Sequence, residues 1–231
     1  MAFGADPTYL LCVFLPAILL SLGVQVYLKS TFGKWSQVPN GAHVTGKQTT
    51  DVLFTRTSLS PLPVEPTRGS LTDHFDPQEN RVRLSETVYG QQSIAAMAVS
   101  AHELGHVQQY QTGSGLIKAR GFLLPAIQYS PTLSYLAILV GFIFNITGLI
   151  WLGIFFFALL VLFSLLTLPV ELDASRRAIA MLNESGLLLS SQDKSGAQAV
   201  LRAAAMTYLA AAITSLLQLF YYVSLASRRR N

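Results

Sequence analysis

The sequence predicts a mainly α-helical integral membrane protein, with about four transmembrane helices and one small polar region that contains a β-hairpin. Three observations lead there. Charged residues make up 12 % of the 231-residue chain and hydrophobic residues 51 %, whereas a soluble domain carries about 25 % charge. Several uncharged runs are long enough to cross about 30 Å of hydrocarbon at about 1.5 Å per residue. Most of the charge is gathered between the first two of those runs.

Taken in order, Thr8 to Leu28 (TYLLCVFLPAILLSLGVQVYL) is the first run. No Lys or Arg precedes it, Asp6 does, and it is longer than the apolar core of a signal peptide, so residues 1–29 read as an uncleaved anchor. Residues 30–121 form the polar domain. Within it GAHVTGKQTTDVLF reads as a short helix or turn, and SLSPLPVEPTRGS as a Pro-rich connection. In LTDHFDPQENRVRLS, Val82 and Leu84 alternate with Arg81, Arg83 and Ser85 around the turn signal DPQEN. That alternation predicts a half-buried β-hairpin. From Gln92 the run SIAAMAVSAHELGHVQQY forms helix and is apolar on nearly every face, so it is expected to be buried.

No charged residue occurs from Gly121 to Val170, a stretch too long for one crossing and about right for two. Residues 122–170 are therefore a transmembrane hairpin with the turn at NITG, Asn145 to Gly148. A helix beginning PVELDASRRAIAML is predicted for residues 171–197. The last segment, 198–231, is Ala- and Leu-rich, carries Arg202 near its start and ends in SRRRN; it either crosses the membrane or lies along its surface.

A hairpin has both ends on one side of the membrane, so Glu171 returns to the face that holds the polar domain. Lys29, Lys34, Lys118, Arg120, Arg176 and Arg177 flank spans on that face, while residues 1–7 and the NITG turn have no basic residue. The positive-inside rule then makes the polar domain cytoplasmic. Arg228 to Arg230 argue the other way and are outnumbered.

The stretch AHELGHVQQY, residues 101–110, carries the chemistry. On a helix His102 and His106, at i and i+4, lie on one face about a turn apart, so both imidazoles reach a single zinc ion. Glu103 is offset by one position and points at the water on the metal. Zinc held by two imidazoles and one carboxylate lowers that water's pKa to roughly 7, and a carboxylate base removes its proton for attack on a carbonyl. Gly105 weakens a helix by roughly 1 kcal/mol, which fits a site where another helix or a substrate backbone comes close. Without metal, two histidines and a glutamate inside an apolar helix would need other partners.

The third ligand must come from elsewhere. Only His43, His74, His102 and His106 exist, and the carboxylates after the motif are Glu171, Asp173, Glu184 and Asp193. Glu171, in the first turn of the helix that follows the hairpin, is chosen. Asp173 lies about 200° round that helix, so at most one of the two faces the metal; its other role is a first-turn carboxylate favoured by the helix dipole. Ser175, at i+4 from Glu171, either orients a ligand or fills a helix face. Stabilising the developing oxyanion needs a donor, for which His74, Tyr89, Arg176 and Arg177 are candidates. His74 is taken as the catalytic partner of Glu103, although a strand-edge role suits it equally.

Other classes fall away. The basic residues are interspersed with acids and form no basic, aromatic-interleaved helix, so nucleic acid is excluded as a partner. A lone cysteine, Cys12, permits neither an intrachain disulfide nor a thiolate zinc site. A transporter would need paired intramembrane charges, and only Arg202 stands near a span. Asp73 and Asp76 lack the further ligands of a calcium loop. The Asn145 and Asn183 glycosylation patterns need a secretory context that nothing here implies.

The stretches LTDHFDP, VRLSETVY, AAMAVSAHELGHVQQ, LPVELDASRRAI and AAAMTYLAAAITSLLQL, in that order over nearly the whole chain, resemble the YugP-type membrane zinc metallopeptidases of bacteria. The resemblance implies a helical, zincin-like, gluzincin-type core between membrane helices, with Zn2+ on His102 and His106 and Glu103 as base. Its Glu-x-Asp-Ala-Ser stretch matches Glu171 to Ser175. In the wider gluzincin clan, similar in plan to HtpX-type membrane proteases, the last of these positions is an Asp that supports a histidine; here it is Ser175. The region from Val38 to Arg68 diverges most.

The expected function is therefore a membrane-anchored, zinc-dependent endopeptidase in a multi-pass cell-membrane protein. Its substrates are protein or peptide segments at the membrane, its other partner the lipid bilayer, and its oligomeric state is open. The competing reading is a non-catalytic adaptor whose zinc ties the polar domain to the hairpin. Glu103 speaks against it, because a structural site needs no base.

Overall fold

The computed structural model describes residues 7–228. Asp6, Arg229 and Arg230, which entered the reading of the flanks, lie outside them. The chain forms α1 (Pro7–Ser36, with a π-helical turn at Leu10–Phe14), α2 (Gly46–Arg56), β1 (Val64–Thr67), β2 (His74–Asp76), β3 (Arg81–Ser85), α3 (Glu86–Tyr89), α4 (Ile94–Gln111), α5 (Gly115–Ile143), α6 (Thr147–Glu184) and α7 (Ser191–Arg228). Among the described residues α1, α5, α6 and α7 are long and apolar enough to cross a membrane. The protein is thus mainly α-helical with four candidate spans, as its composition predicts.

Two compact units divide the chain. The first gathers α1 up to Val24, residues 118–169 and the chain from Thr207 onward. Here α5 and α6 approach closely: a Cβ on Gly153 would stand 2.8 Å from the Ser134 carbonyl oxygen. Small residues at such contacts let backbones pack where lipid offers no hydrophobic drive. Ile138, Ile150, Ile154 and Ala226 form a buried cluster beside them.

The second unit holds residues 25–117 and 170–206. Its core joins Leu53 of α2, Val82 and Leu84 of β3, Ile94, Met97, Leu104 and Val107 of α4, Ala178, Met181 and Leu182 of α6, and Ala197, Val200 and Leu201 of α7. Helix α2 starts at a capping box, in which the Thr45 side chain accepts from the Gln48 N–H and the Gln48 side chain accepts from that of Thr45. The sheet has the order β1-β3-β2, with β3 antiparallel to β2 and parallel to β1. Val82 and Leu84 face the core. Arg81 and Arg83, on the opposite side, pair with Glu65, Asp76 and Glu79.

The structure corrects three expectations. The segment read as a Pro-rich connection contains strand β1, in which Pro66 stands opposite Leu84. Proline lacks a ladder donor and is tolerated because β1 is an edge. Helix α6 does not break at residue 170: it runs through Pro169 to Glu184, so Glu171 and Asp173 lie mid-helix and not in a first turn. Proline removes one helical hydrogen bond, but Val170, Ala174, Ala178, Met181 and Leu182 are all buried on the far side of it, and that packing carries the helix onward. Lastly, residues 171–197 are not one helix. Gly186, at φ +66°, follows the end of α6, and α7 starts at Ser191, where the Ser190 side chain accepts from the Asp193 N–H at 3.0 Å and the buried Asp193 carboxylate accepts from the Ser190 and Gly41 N–H groups at 2.9 Å. Arg202 is exposed and belongs to this second unit.

At about 1.5 Å per residue the 38 residues of α6 span about 57 Å, well beyond about 30 Å of hydrocarbon. Its charged end, from Glu171 on, therefore falls outside the apolar stretch.

Candidate metal centre

Helix α4 begins where the Ser93 side chain accepts from the Ala96 N–H at 3.1 Å. Its small residues let neighbours close round it on almost every face, leaving Ala95 to Ala98, Ala101, Leu104 and Val107 with essentially no exposure. Polar side chains in such a helix need partners. His102, His106 and Gln109 find them on α6.

His102 and His106 stand with ring centroids 4.8 Å apart and planes at 84°. Both Nε2 atoms converge on one carboxylate oxygen, Glu171 Oε2, at 3.3 Å from His102 and 3.5 Å from His106. The three side chains are 14 %, 12 % and 5 % exposed. Among the described residues these three form a group whose ligand atoms lie within 4.8 Å of one another. The donor set fits zinc. Four ligands about 2.0–2.1 Å from a tetrahedral zinc lie roughly 3.3 Å from one another, close to the separations of the two imidazoles from Glu171.

The outward nitrogens are also occupied. Ser175 Oγ lies 3.2 Å from His102 Nδ1, and Gln109 Oε1 lies 3.0 Å from His106 Nδ1. Gln109 is fully buried and its Nε2 donates to the Val170 carbonyl at 2.8 Å and to Asp173 Oδ2 at 2.9 Å. Asp173 in turn pairs with Arg177 at 2.7 Å and Arg176 at 3.2 Å, and Arg177 also donates to Gln108. Glu103 is 7 % exposed. Burial pushes its carboxyl above the usual carboxylate range, opposed in part by the neighbouring histidines.

The structure therefore brings His102, Glu103, His106 and Glu171 together and puts Ser175 behind His102. Asp173 faces Gln109 and two arginines, and lies outside the cluster. The four candidate oxyanion donors have the following partners. Arg176 and Arg177 are committed to Asp173, and Tyr89 packs against the core. His74 is exposed at the start of β2 with Nδ1 2.8 Å from the Thr72 carbonyl oxygen. A carbonyl cannot donate, so Nδ1 carries the proton there. Asp73, beside it, accepts from the Ser85 N–H at 2.7 Å and from the Ser85 hydroxyl, and burial holds its carboxyl above the ordinary range.

Gln109 was not singled out by sequence. Its signal was present: a polar residue at i+3 from His106, on the same face of a helix otherwise buried in apolar contacts.

Membrane-length helices joined to a unit in which a histidine pair and a distant glutamate converge define a membrane protein of the zinc-metallopeptidase kind. The family model described as "Putative neutral zinc metallopeptidase" matches residues 10–227, and the chain belongs to that family. A relative from Bacillus subtilis (strain 168), "Putative membrane protease YugP", is 40 % identical over 207 residues, which cover 90 % of this chain and 92 % of that one. No solved structure matches the chain.

Proposed function

We propose that the chain is a membrane-anchored zinc endopeptidase that hydrolyses peptide bonds in membrane-associated or juxtamembrane protein segments. One observation carries the reading: on the helix that bears the buried carboxylate Glu103, two imidazoles converge on a second carboxylate, Glu171, at 3.3 and 3.5 Å. His102, His106 and Glu171 would hold the metal. A bound zinc supplies Lewis-acid polarisation of a carbonyl and lowers the pKa of a water to roughly 7.

The remaining work falls to the chain's own residues. Glu103 takes a proton from the attacking water and returns it to the leaving nitrogen. Ser175 keeps the His102 ring turned so that its Nε2 faces inward. His74 is the candidate oxyanion donor, its ring held by the contact of Nδ1 with the Thr72 carbonyl. The basic flanks Lys29, Lys34, Lys118, Arg120, Arg176 and Arg177 support a cytoplasmic catalytic face.

The test is zinc content and cleavage of unfolded casein by detergent-purified protein, for wild type and Glu103→Gln. One zinc per chain in both is expected, with cleavage lowered roughly 10²- to 10⁴-fold in the variant. Wild-type cleavage by Glu103→Gln refutes the mechanism. Zinc without cleavage by the wild type favours the adaptor.

A further inference from the structure

We propose that Gln109 is a positioning residue acting on two members of the centre at once: its amide oxygen sets the tautomer and orientation of His106, and its amide nitrogen anchors the turn of α6 that bears Glu171. The inference rests on the zinc-centre reading above. It is carried by the pattern of Gln109's partners. Nε2 meets the Val170 carbonyl oxygen at 2.8 Å and Asp173 Oδ2 at 2.9 Å. A carbonyl has only acceptor capacity, and so has a carboxylate ion-paired with Arg176 and Arg177. Both amide hydrogens are thereby used, and the amide has only one orientation.

Oε1 must then be the atom 3.0 Å from His106 Nδ1. An amide oxygen accepts, so Nδ1 carries the ring proton and Nε2 keeps its lone pair, directed at Glu171 Oε2. The same amide holds the carbonyl of Val170, the residue just before Glu171, so ring and carboxylate are registered against one rigid group. Gln109 has no exposure, and water cannot substitute for it. An imidazole that binds metal usually donates its other N–H to a partner that fixes the ring, and losing that partner weakens metal binding roughly 10- to 100-fold. Here a glutamine does this and bridges two helices.

The experiment measures zinc affinity by chelator competition and the visible spectrum of the Co2+-loaded, full-length protein in detergent. Gln109→Leu, similar in volume, removes all three contacts and is expected to bind zinc roughly 10- to 100-fold more weakly. Affinity within twofold of wild type overturns the proposal. Gln109→Glu keeps an acceptor against Nδ1–H and adds charge to it, which makes His106 a stronger donor. A shifted cobalt absorption is expected, and a spectrum identical to wild type overturns the proposal even if the leucine variant does not fold. A merely structural tie between helices would lower the melting temperature of both variants while leaving zinc affinity within twofold of wild type. His106→Ala separates two failures: unchanged metal affinity there sinks the zinc-centre reading itself, whereas lost affinity there beside an unaffected Gln109→Leu sinks only the role of Gln109.

Discussion

Gly105 of α4 lies against the backbone of Ala174 on α6, so close that a Cβ on the glycine would overlap the Ala174 carbonyl oxygen and stand 3.0 Å from its carbonyl carbon. Backbone atoms within a helix cannot move aside as a flexible side chain can. The two residues sit next to His106 and between Asp173 and Ser175, so the helix spacing they set is also the spacing of the candidate ligands.

Gly105→Ala should therefore force the helices apart. Overpacking of this kind costs about 1–3 kcal/mol, more than the helix-propensity gain of about 1 kcal/mol from replacing glycine. A lower melting temperature and zinc below one per chain are expected. A variant as stable as wild type with full zinc would show that the contact does not set the site.

Glu171→Ala and Asp173→Asn should part company. The first removes the carboxylate on which both imidazoles converge, so zinc is lost or much weakened. The second keeps a side chain of the same shape beside Gln109 and is expected to retain zinc, because Asp173 pairs with Gln109, Arg176 and Arg177 and not with the histidines. Elemental analysis after dialysis decides between them, and the reverse pattern would make Asp173 the ligand.

Asp73 offers a test by pH. Burial raises its carboxyl above the ordinary value, so the folded protein disfavours the ionised form. Stability from this group is intact where the carboxyl is protonated in both states, and is lost as pH rises from the unfolded value through the raised folded one. Asp73→Asn keeps an acceptor for the Ser85 N–H and has no charge to bury. Its melting temperature relative to wild type should rise across that window. A difference that stays constant with pH would contradict the assignment.

Sidedness follows from labelling in a Cys12→Ser background. Glu79→Cys, in the turn between β2 and β3, should react with a membrane-impermeant thiol reagent only after lysis, and Thr147→Cys, after the Asn145 turn, should react in intact cells. The opposite pattern would place the catalytic face outside.

Much of this site was legible because its parts are local or follow from topology. His102, Glu103 and His106 are one helical turn, so spacing alone puts them in relation. Glu171 required a longer step: a hairpin returns its ends to one side, and few carboxylates follow the motif. Ser175 was read as one of two roles, and the structure places its hydroxyl at His102. Strand β1 was missed because a run with three prolines carries no strand signal; only the exposed flank of β3 makes it one.

The sequence by itself determined the membrane class, the hairpin turn at Asn145, the alternation of β3 and the relation of His102, Glu103 and His106 on one helical turn, since each rests on composition or on the period of a helix or strand. The tertiary structure decided that α6 passes unbroken through Pro169, that Asp173 turns to Gln109 and the arginines, and that Gln109 joins His106 to the Val170 carbonyl. These are contacts between segments roughly sixty residues apart. They depend on how closely two helices approach at Gly105, and that distance is a property of packing that no local pattern encodes.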